Sequence, residues 1–497
     1  MPGSRWEPAG KRSAAGWTAN HAANQSRPEK SKPEARRSFL KLYGKSFVLG
    51  LNTVNRIPST EHMVQRRLLL AALMLSPPGA GAAAAQVPTI TLAEAIRRAD
   101  RVQPAMIRAA ADVRTAEARR RSALGAYLPR LSASSSASDF FSEGSSRVDP
   151  ITGELTGGNS SNRSISTSLS ASLDLFTGFR RGAEMRAARA GEDAAEASLL
   201  DARFEQALTT TNQFLDALAA AQLLRVRETS VRRAEEQLKT AVAKLRAGSA
   251  TRSDSLRSLV TLGNARLDQI TTQTQLASAE ANLARLIGET GRVRATDDSS
   301  FYRLMAVIDT QALRAEAESK SPRVQSAAAN AVAARASVRA SRSVYWPSLT
   351  LAANTGWNGS RATDYDLFNQ RQISLSLRWN LFDGFDRELT IVQRDAELDL
   401  AEASAADAQR EVQAELTARL AELDAARTRT EITQTSVAAA TEDLRVQQER
   451  YRLGASTIVD LLTSQEALNQ AEVDVVNARF DYLRAKAQIE ALIGRNL

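Results

Sequence analysis

The chain contains its own pattern twice, and that limits it more than any other feature. Gln103 and Pro104 open a stretch that closes at Tyr127, Leu128 and Pro129. Ser321 and Pro322 open another that closes at Tyr345, Trp346 and Pro347, at an offset of 218 residues. Farther on, Leu173 to Phe179 matches Trp379 to Phe385 at an offset of 206, which Gly248 and Gly454, Asp254 and Asp460, and Gly288 and Gly494 share. One insertion of twelve residues inside the first hairpin reconciles the two offsets. So long a period is no solenoid; it is a tandem duplication. The first unit is placed at 89–288, the second at 309–497, with 289–308 as the linker between them.

Each unit carries a β-hairpin between helices. Residues 165–175 alternate isoleucine, leucine and alanine with serine, threonine and aspartate, and Ile373, Leu375 and Leu377 alternate with Ser374 and Ser376. Period two with one apolar face predicts strands. Weaker partner strands at 131–137 and 349–357 place the hairpins at about 131–175 and 349–382. Aromatic residues collect at the strand ends: Tyr127, Phe140, Phe141, Phe176, Phe179, Trp346, Trp357, Trp379, Phe382 and Phe385. A membrane strand needs ~9–11 residues with aromatics at both interfaces, which this pattern supplies. A soluble antiparallel sheet shows the same alternation, so other features must separate the two.

Helices fill the rest. Arg180 to Arg246 has no proline, and Asp386 to Arg452 has neither proline nor glycine. Each would be roughly 100 Å long at 1.5 Å per residue. Helices of that length persist only by packing along neighbours. Leu461, Leu468, Val475, Tyr482 and Ile489 recur every seven residues, with Ala471, Ala478, Ala485 and Leu492 three positions on. Leu262, Leu276 and Leu283, with Ala265, Ala279 and Leu286, repeat the pattern in the first unit. Heptads predict coiled-coil packing, and the alanines allow close approach.

Residues 1–62 hold eleven Lys and Arg against four Glu, and therefore most of the formal charge of +9. The remainder is near neutral, so no nucleic-acid partner is expected. The leader reads as a disordered or non-native extension, Met63 as the start. Residues 63–85 read as a signal peptide, with Arg66 and Arg67, the apolar run Leu68 to Leu75, and small residues Ala82 to Ala85, so the mature chain is expected to begin near Gln86. The chain has no cysteine, and both histidines, His21 and His62, lie in the leader. That excludes disulfides, lipidation through cysteine, thiolate or imidazole metal sites and histidine acid–base chemistry. A secreted, cysteine-free chain favours the membrane sheet.

These residues together resemble the TolC-type outer-membrane channels. The likeness runs from Thr89 to Leu497. Leu381 to Gly384 after the last strand carries it, and the stretch from Tyr451 through Gly454 to Asp460 is its most specific part. The resemblance implies a mainly helical fold with a β-barrel part: a homotrimer sharing a twelve-stranded transmembrane barrel in outer-membrane lipid, continued by a periplasmic α-helical tunnel. It implies a non-enzymatic exit channel of a tripartite export system, with no cofactor or metal. Such a channel passively conducts proteins or small molecules, its partners being a periplasmic adaptor and an inner-membrane transporter of ABC or RND type. The missing cysteine and the 451–460 turn resemble the type I protein-secretion branch. At the periplasmic entrance the resemblance assigns constriction and gating to Tyr451, Asp254 and Asp460. On spacing alone, each aspartate equally reads as stabilising the first turn of the helix after it. Thr463 and Ser456 stand where the best-known relative has an acidic and a basic residue, which predicts weaker cation binding here. The alternative is a periplasmic or surface coiled-coil adhesin without a pore. A carboxylate-dependent hydrolase rests on nothing beyond the presence of Asp and Glu.

Overall fold

The computed structural model describes residues 87–145, 147–156, 160–297, 309–360 and 367–497. The leader, the signal peptide and residues 298–308 of the linker lie outside the described residues.

Both units follow one element order. In the first, α1 (Leu92–Val102) and α2 (Pro104–Gly125) lead into β2 (Arg130–Ser142) and β5 (Ser160–Phe176), then α3 (Arg180–Arg246) and α4 (Arg252–Leu286). The second runs α5 (Thr310–Lys320), α6 (Pro322–Ser341), a 3-10 turn (Arg342–Tyr345), β7 (Ser348–Gly359), β8 (Phe368–Arg378), α7 (Asp386–Arg452) and α8 (Ile458–Ile493). Pro104 and Pro322 each sit in the first turn of their helix, where a missing N–H costs nothing. The long helices α3 and α7 have 67 residues each, as the proline-free runs predict.

The four long strands form one antiparallel sheet in the order β2-β5-β7-β8. All run farther outward than the sequence pattern indicates. Serine-rich ends obscure the alternation, yet ladder bonds hold them: Ser142 pairs with Ser160. Inside the first hairpin, β3 (Arg147–Val148) pairs with β4 (Leu155–Thr156), so the connection from β2 to β5 carries a small hairpin of its own. The linker is also structured in part. Within it β6 (Arg294–Ala295) runs parallel to β1 (Thr89–Ile90). Strand β8 ends at Arg378, short of the expected 382, because its last in-chain partner is Ser348, the first residue of β7. Its counterpart β5 continues to Phe176 by pairing with β7.

The main core lies where the short helices meet the long ones. There Phe214, Leu218, Leu283, Val412, Leu416, Phe480 and Ile489 are buried together. Toward the helical turns the core thins to two small clusters. Tyr451, Ile458, Leu461 and Leu468 form one, and Val231, Ala234, Leu262 and Ala265 the other. Seam residues Leu461, Leu468, Ala478, Tyr482, Ala485 and Ile489 are buried, as heptad packing predicts.

Candidate functional site: two faces of one sheet and two helical turns

The sheet sorts its side chains by parity. On one face, Ser132, Ser134, Ser136 and Ser138 stand opposite Ser170, Ser168, Ser166 and Ser164, with Oγ–Oγ distances of 2.6 to 2.8 Å. The same face continues across the sheet through Asp174, Thr350, Asn354, Ser374 and Ser376. Thr350 Oγ1 donates to Asp174 Oδ1 at 2.8 Å. The other face carries Leu131, Leu169, Leu349, Leu351, Ile373, Leu375 and Leu377, and Ile373 is 79% exposed in the single chain. An apolar face of this extent, bare of protein, fits lipid. Outer strands β2 and β8 have one edge each without a ladder partner among the described residues. Such an edge cannot stand in hydrocarbon.

Where strand becomes helix, both units use the same device. Gly178 and Phe179 have φ of 62° and 65°, and Gly384 and Phe385 have 73° and 74°. The two phenylalanines occupy left-handed backbone that residues with a Cβ seldom adopt. Arginine clamps hold the corner. Arg181 lies 5.0 Å from the centre of the Tyr127 ring and donates to the Leu175 carbonyl at 2.9 Å. Arg387 lies 4.9 Å from the Tyr345 ring and donates to the Leu381 carbonyl at 3.0 Å. Each guanidinium satisfies a carbonyl where the ladder stops and stacks on an aromatic face. Sequence reasoning missed these arginines, though Arg181 and Arg387 stand at the common offset.

At the far end of the long helices, Gly248 and Gly454 close α3 and α7 with φ of 74° and 78°. The next helices then begin with capping boxes. Asp254 Oδ2 accepts from Thr251 N at 2.9 Å, while Asp254 N donates to Thr251 Oγ1 at 3.2 Å. Asp460 repeats this with Thr457 at 3.0 and 3.2 Å. The structure therefore shows both aspartates as caps. Hydrogen bonds from Thr457, and then the charge of Arg450, hold the Asp460 carboxyl below its usual value. Asp460 is exposed and Asp254 half-buried. Tyr451 is buried; burial first, and the Asp254 charge second, raise its phenol. Its hydroxyl has no hydrogen-bond partner among the described residues. Tyr451 and Asp254 are thus electrostatic neighbours without the hydrogen bond that a latch between them would require. A contact of another kind is present: the Lys244 ammonium sits 4.1 Å from the Tyr451 ring centre and donates to the Tyr451 carbonyl. Nothing in the local sequence signalled Lys244, because its partner lies on another helix.

Residues 95–289 and 313–495 match the family described as outer membrane efflux protein. Among curated proteins, the pyoverdine export outer membrane protein OpmQ of Pseudomonas putida is 26% identical over 415 residues, covering 78% of this chain and 82% of its own. CyaE of Bordetella pertussis is 28% identical over 296 residues, 59% of this chain and 62% of its own. The CmeC outer-membrane channel of Campylobacter jejuni superposes with a TM-score of 0.68 at 16% identity, over 81% of this chain and 85% of CmeC.

Proposed function

The chain belongs to the outer membrane efflux protein family, the TolC-type channels, and from that premise we propose that three copies close one barrel and one helical tunnel, the exit duct of a tripartite export system. The observation that carries this reading is the four-stranded sheet with one lipid-compatible face, one hydroxyl face and two bare edges. Edges in lipid must be closed by other strands, and three sheets of four give an even number around an aqueous lumen. The Ser, Thr, Asn and Gln face then lines water. Between Arg130 and Arg378 its one charged side chain is Asp174, so it imposes little charge selection on protein or small polar cargo.

The helices support the same closure. On α4, Leu256, Val260, Leu267 and Ile270 form a coiled-coil stripe that the single chain leaves exposed, and α7 does the same with Ile432, Val446 and Leu453. We assign the periplasmic adaptor to the tip, where Val459 and Leu462 line an open groove beside the turns. An inner-membrane transporter behind the adaptor would supply the energy. Tyr451, Asp254 and Asp460 are assigned to the entrance constriction, with Lys244 as a tether across α3 and α7. Purified protein reconstituted in a planar bilayer is expected to give discrete, long-lived conductance steps. A protein that binds vesicles but never conducts would favour the coiled-coil spacer instead.

A further inference from the structure

The duplication lets the bare edges be read residue by residue. The two hairpins share one register: Arg130 pairs with Ser172, and Ser348 with Arg378, which are those same positions moved by 218 and 206. The offsets therefore hold for backbone pairing as well as for sequence. Between the hairpins, β5 pairs with β7, joining the second strand of one unit to the first strand of the next. At the outer edges, β8 is again the second strand of a unit and β2 is again a first strand. One sheet thus ends on the two halves of a junction that it already contains once.

We propose that β8 of one copy pairs with β2 of the next in the β5–β7 register, so that Ser376 meets Ser136 and Ser374 meets Ser138 of the next copy. The pairs follow from Ser170↔Asn354 and Ser168↔Gly356, moved by the offsets. This rests on the trimeric channel reading and goes further by naming the contact.

Three observations converge on this register. First, parity is kept. Leu375 falls opposite Ala137 and Trp379 opposite Ala133, so the leucine-bearing face of β8 meets the alanine-bearing face of β2, whereas a one-residue slip would turn every side chain of one strand to the wrong face. Second, the hydroxyl face of β2 and β5 continues into Ser374 and Ser376 of β8. Third, the corner has a matching vacancy in side-chain packing. Within the chain, Phe179 packs edge-on against Trp346 at 5.6 Å, and a Cβ on Gly178 would lie 2.4 Å from Trp346 Cβ. Their counterparts are Phe385, Gly384 and Leu128. Phe385 and Leu128 are exposed in the single chain, and a Cβ on Gly384 meets nothing within 4 Å. Leu128 of the next copy takes the place that Trp346 takes inside the chain. The early end of β8 has the same explanation, because residues 379–382 wait for residues 131–133 of the next copy as 173–176 pair with 349–351 here.

The chain has no cysteine, so an introduced pair holds its only thiols. The full-length double variants S136C/S376C and S138C/S374C, oxidised in isolated outer membranes, are expected to give a covalent trimer on a non-reducing denaturing gel. The slipped pair S134C/S376C moves the thiols ~7 Å along the strand and should give roughly tenfold less, since a disulfide spans Cα atoms up to about 6.8 Å apart. A trimer captured by an amine-reactive cross-linker, with bridging only in the slipped pair, overturns the register and leaves the channel reading intact. Monomers alone under both chemistries overturn the two together.

Discussion

The two units share a backbone and differ in the chemistry at their seams. Beyond the shared apolar core, α3 of the first unit meets α8 of the second through charged groups. Arg233 of α3 donates to Glu472 at 2.5 Å and to Asn469 at 2.8 Å, both on α8. Moved by the offset, those positions become Ala439 on α7 and Arg266 and Gly263 on α4, and Arg266 already pairs with Glu235 in its own unit. Lys244 against Tyr451 becomes Arg450 against Leu245. The positions left open in the single chain thus keep cations at Arg266 and Arg450 but lack the carboxylate that Glu472 supplies at the closed junction. An ionic seam left open would have to desolvate charges again at assembly, which costs several kcal/mol per ion unless the geometry is good. With no counterpart of Glu472, and with Arg266 already paired to Glu235, the open positions have no such ion pair to bury. Duplication has preserved the register of the contact and not its charge pairing.

The largest expected effect tests the sheet, where the two units should behave alike. Leu375 of β8 and Leu169 of β5 are counterparts on the apolar face. Leu375→Arg and Leu169→Arg should each cost about 2–4 kcal/mol per subunit if both face mid-bilayer lipid. The readout is the fraction of protein recovered as membrane-inserted trimer. Normal assembly of either variant would show that its strand does not face lipid, and a large inequality would break the symmetry between units.

A smaller effect should separate the units at the strand-to-helix corner. Arg387 is 12% exposed, donates to two carbonyls, those of Asn380 and Leu381, and pairs with Glu388 at 3.2 Å. Arg181 makes one short carbonyl bond and a second at 3.5 Å. Arg387→Ala is therefore expected to cost about 1–3 kcal/mol and Arg181→Ala about 1 kcal/mol, read from thermal dissociation of the trimer. A reversed order would mean that the aromatic stack, common to both, outweighs the carbonyl bonds.

Most of the architecture was legible because it is periodic. The duplication, the long helices, the strands and the buried seam of Leu461, Leu468 and Ile489 all follow from spacing in the sequence. Periodicity does not say which partner covers a stripe, so Leu256, Val260, Leu267 and Ile270 went unread. At the helical turns, Asp254 and Asp460 were legible as helix starts, and the structure shows their caps. The contact of Lys244 with Tyr451 was not, since it joins residues 207 positions apart. Nor was the end of β8, which falls where its partner strand β7 begins.

The smallest structural effect belongs to the turns, where equal caps should have unequal consequences for transport. Asp254→Asn and Asp460→Asn remove matched carboxylates, so their changes in melting should be small and similar. Their conductance changes should differ. Asp460 is exposed, so its loss should reduce cation selectivity and leave the resting conductance unchanged. Asp254 lies beside buried Tyr451, so Asp254→Asn should loosen the tip and raise the resting conductance, as should Tyr451→Ala, which removes the ring under Lys244, whereas Tyr451→Phe keeps that ring and should change nothing. The pH dependence has a definite sign. A carboxyl held below its unfolded value of ~3.9 contributes stability above that pH and loses it as pH falls through the lower folded value. Repulsion among three such groups acts the other way, but across solvent it is screened within about 8 Å at physiological salt, whereas the Thr457 bonds persist. Cation selectivity of the wild type should therefore hold from neutral pH down through the ordinary carboxylate range and fade only below it. Reversal potentials measured across that range provide the check. Selectivity that fades already between pH 6 and 5, at roughly two units above the ordinary value, would mean that ring repulsion outweighs the cap and that Asp460 faces its two copies across a dry constriction.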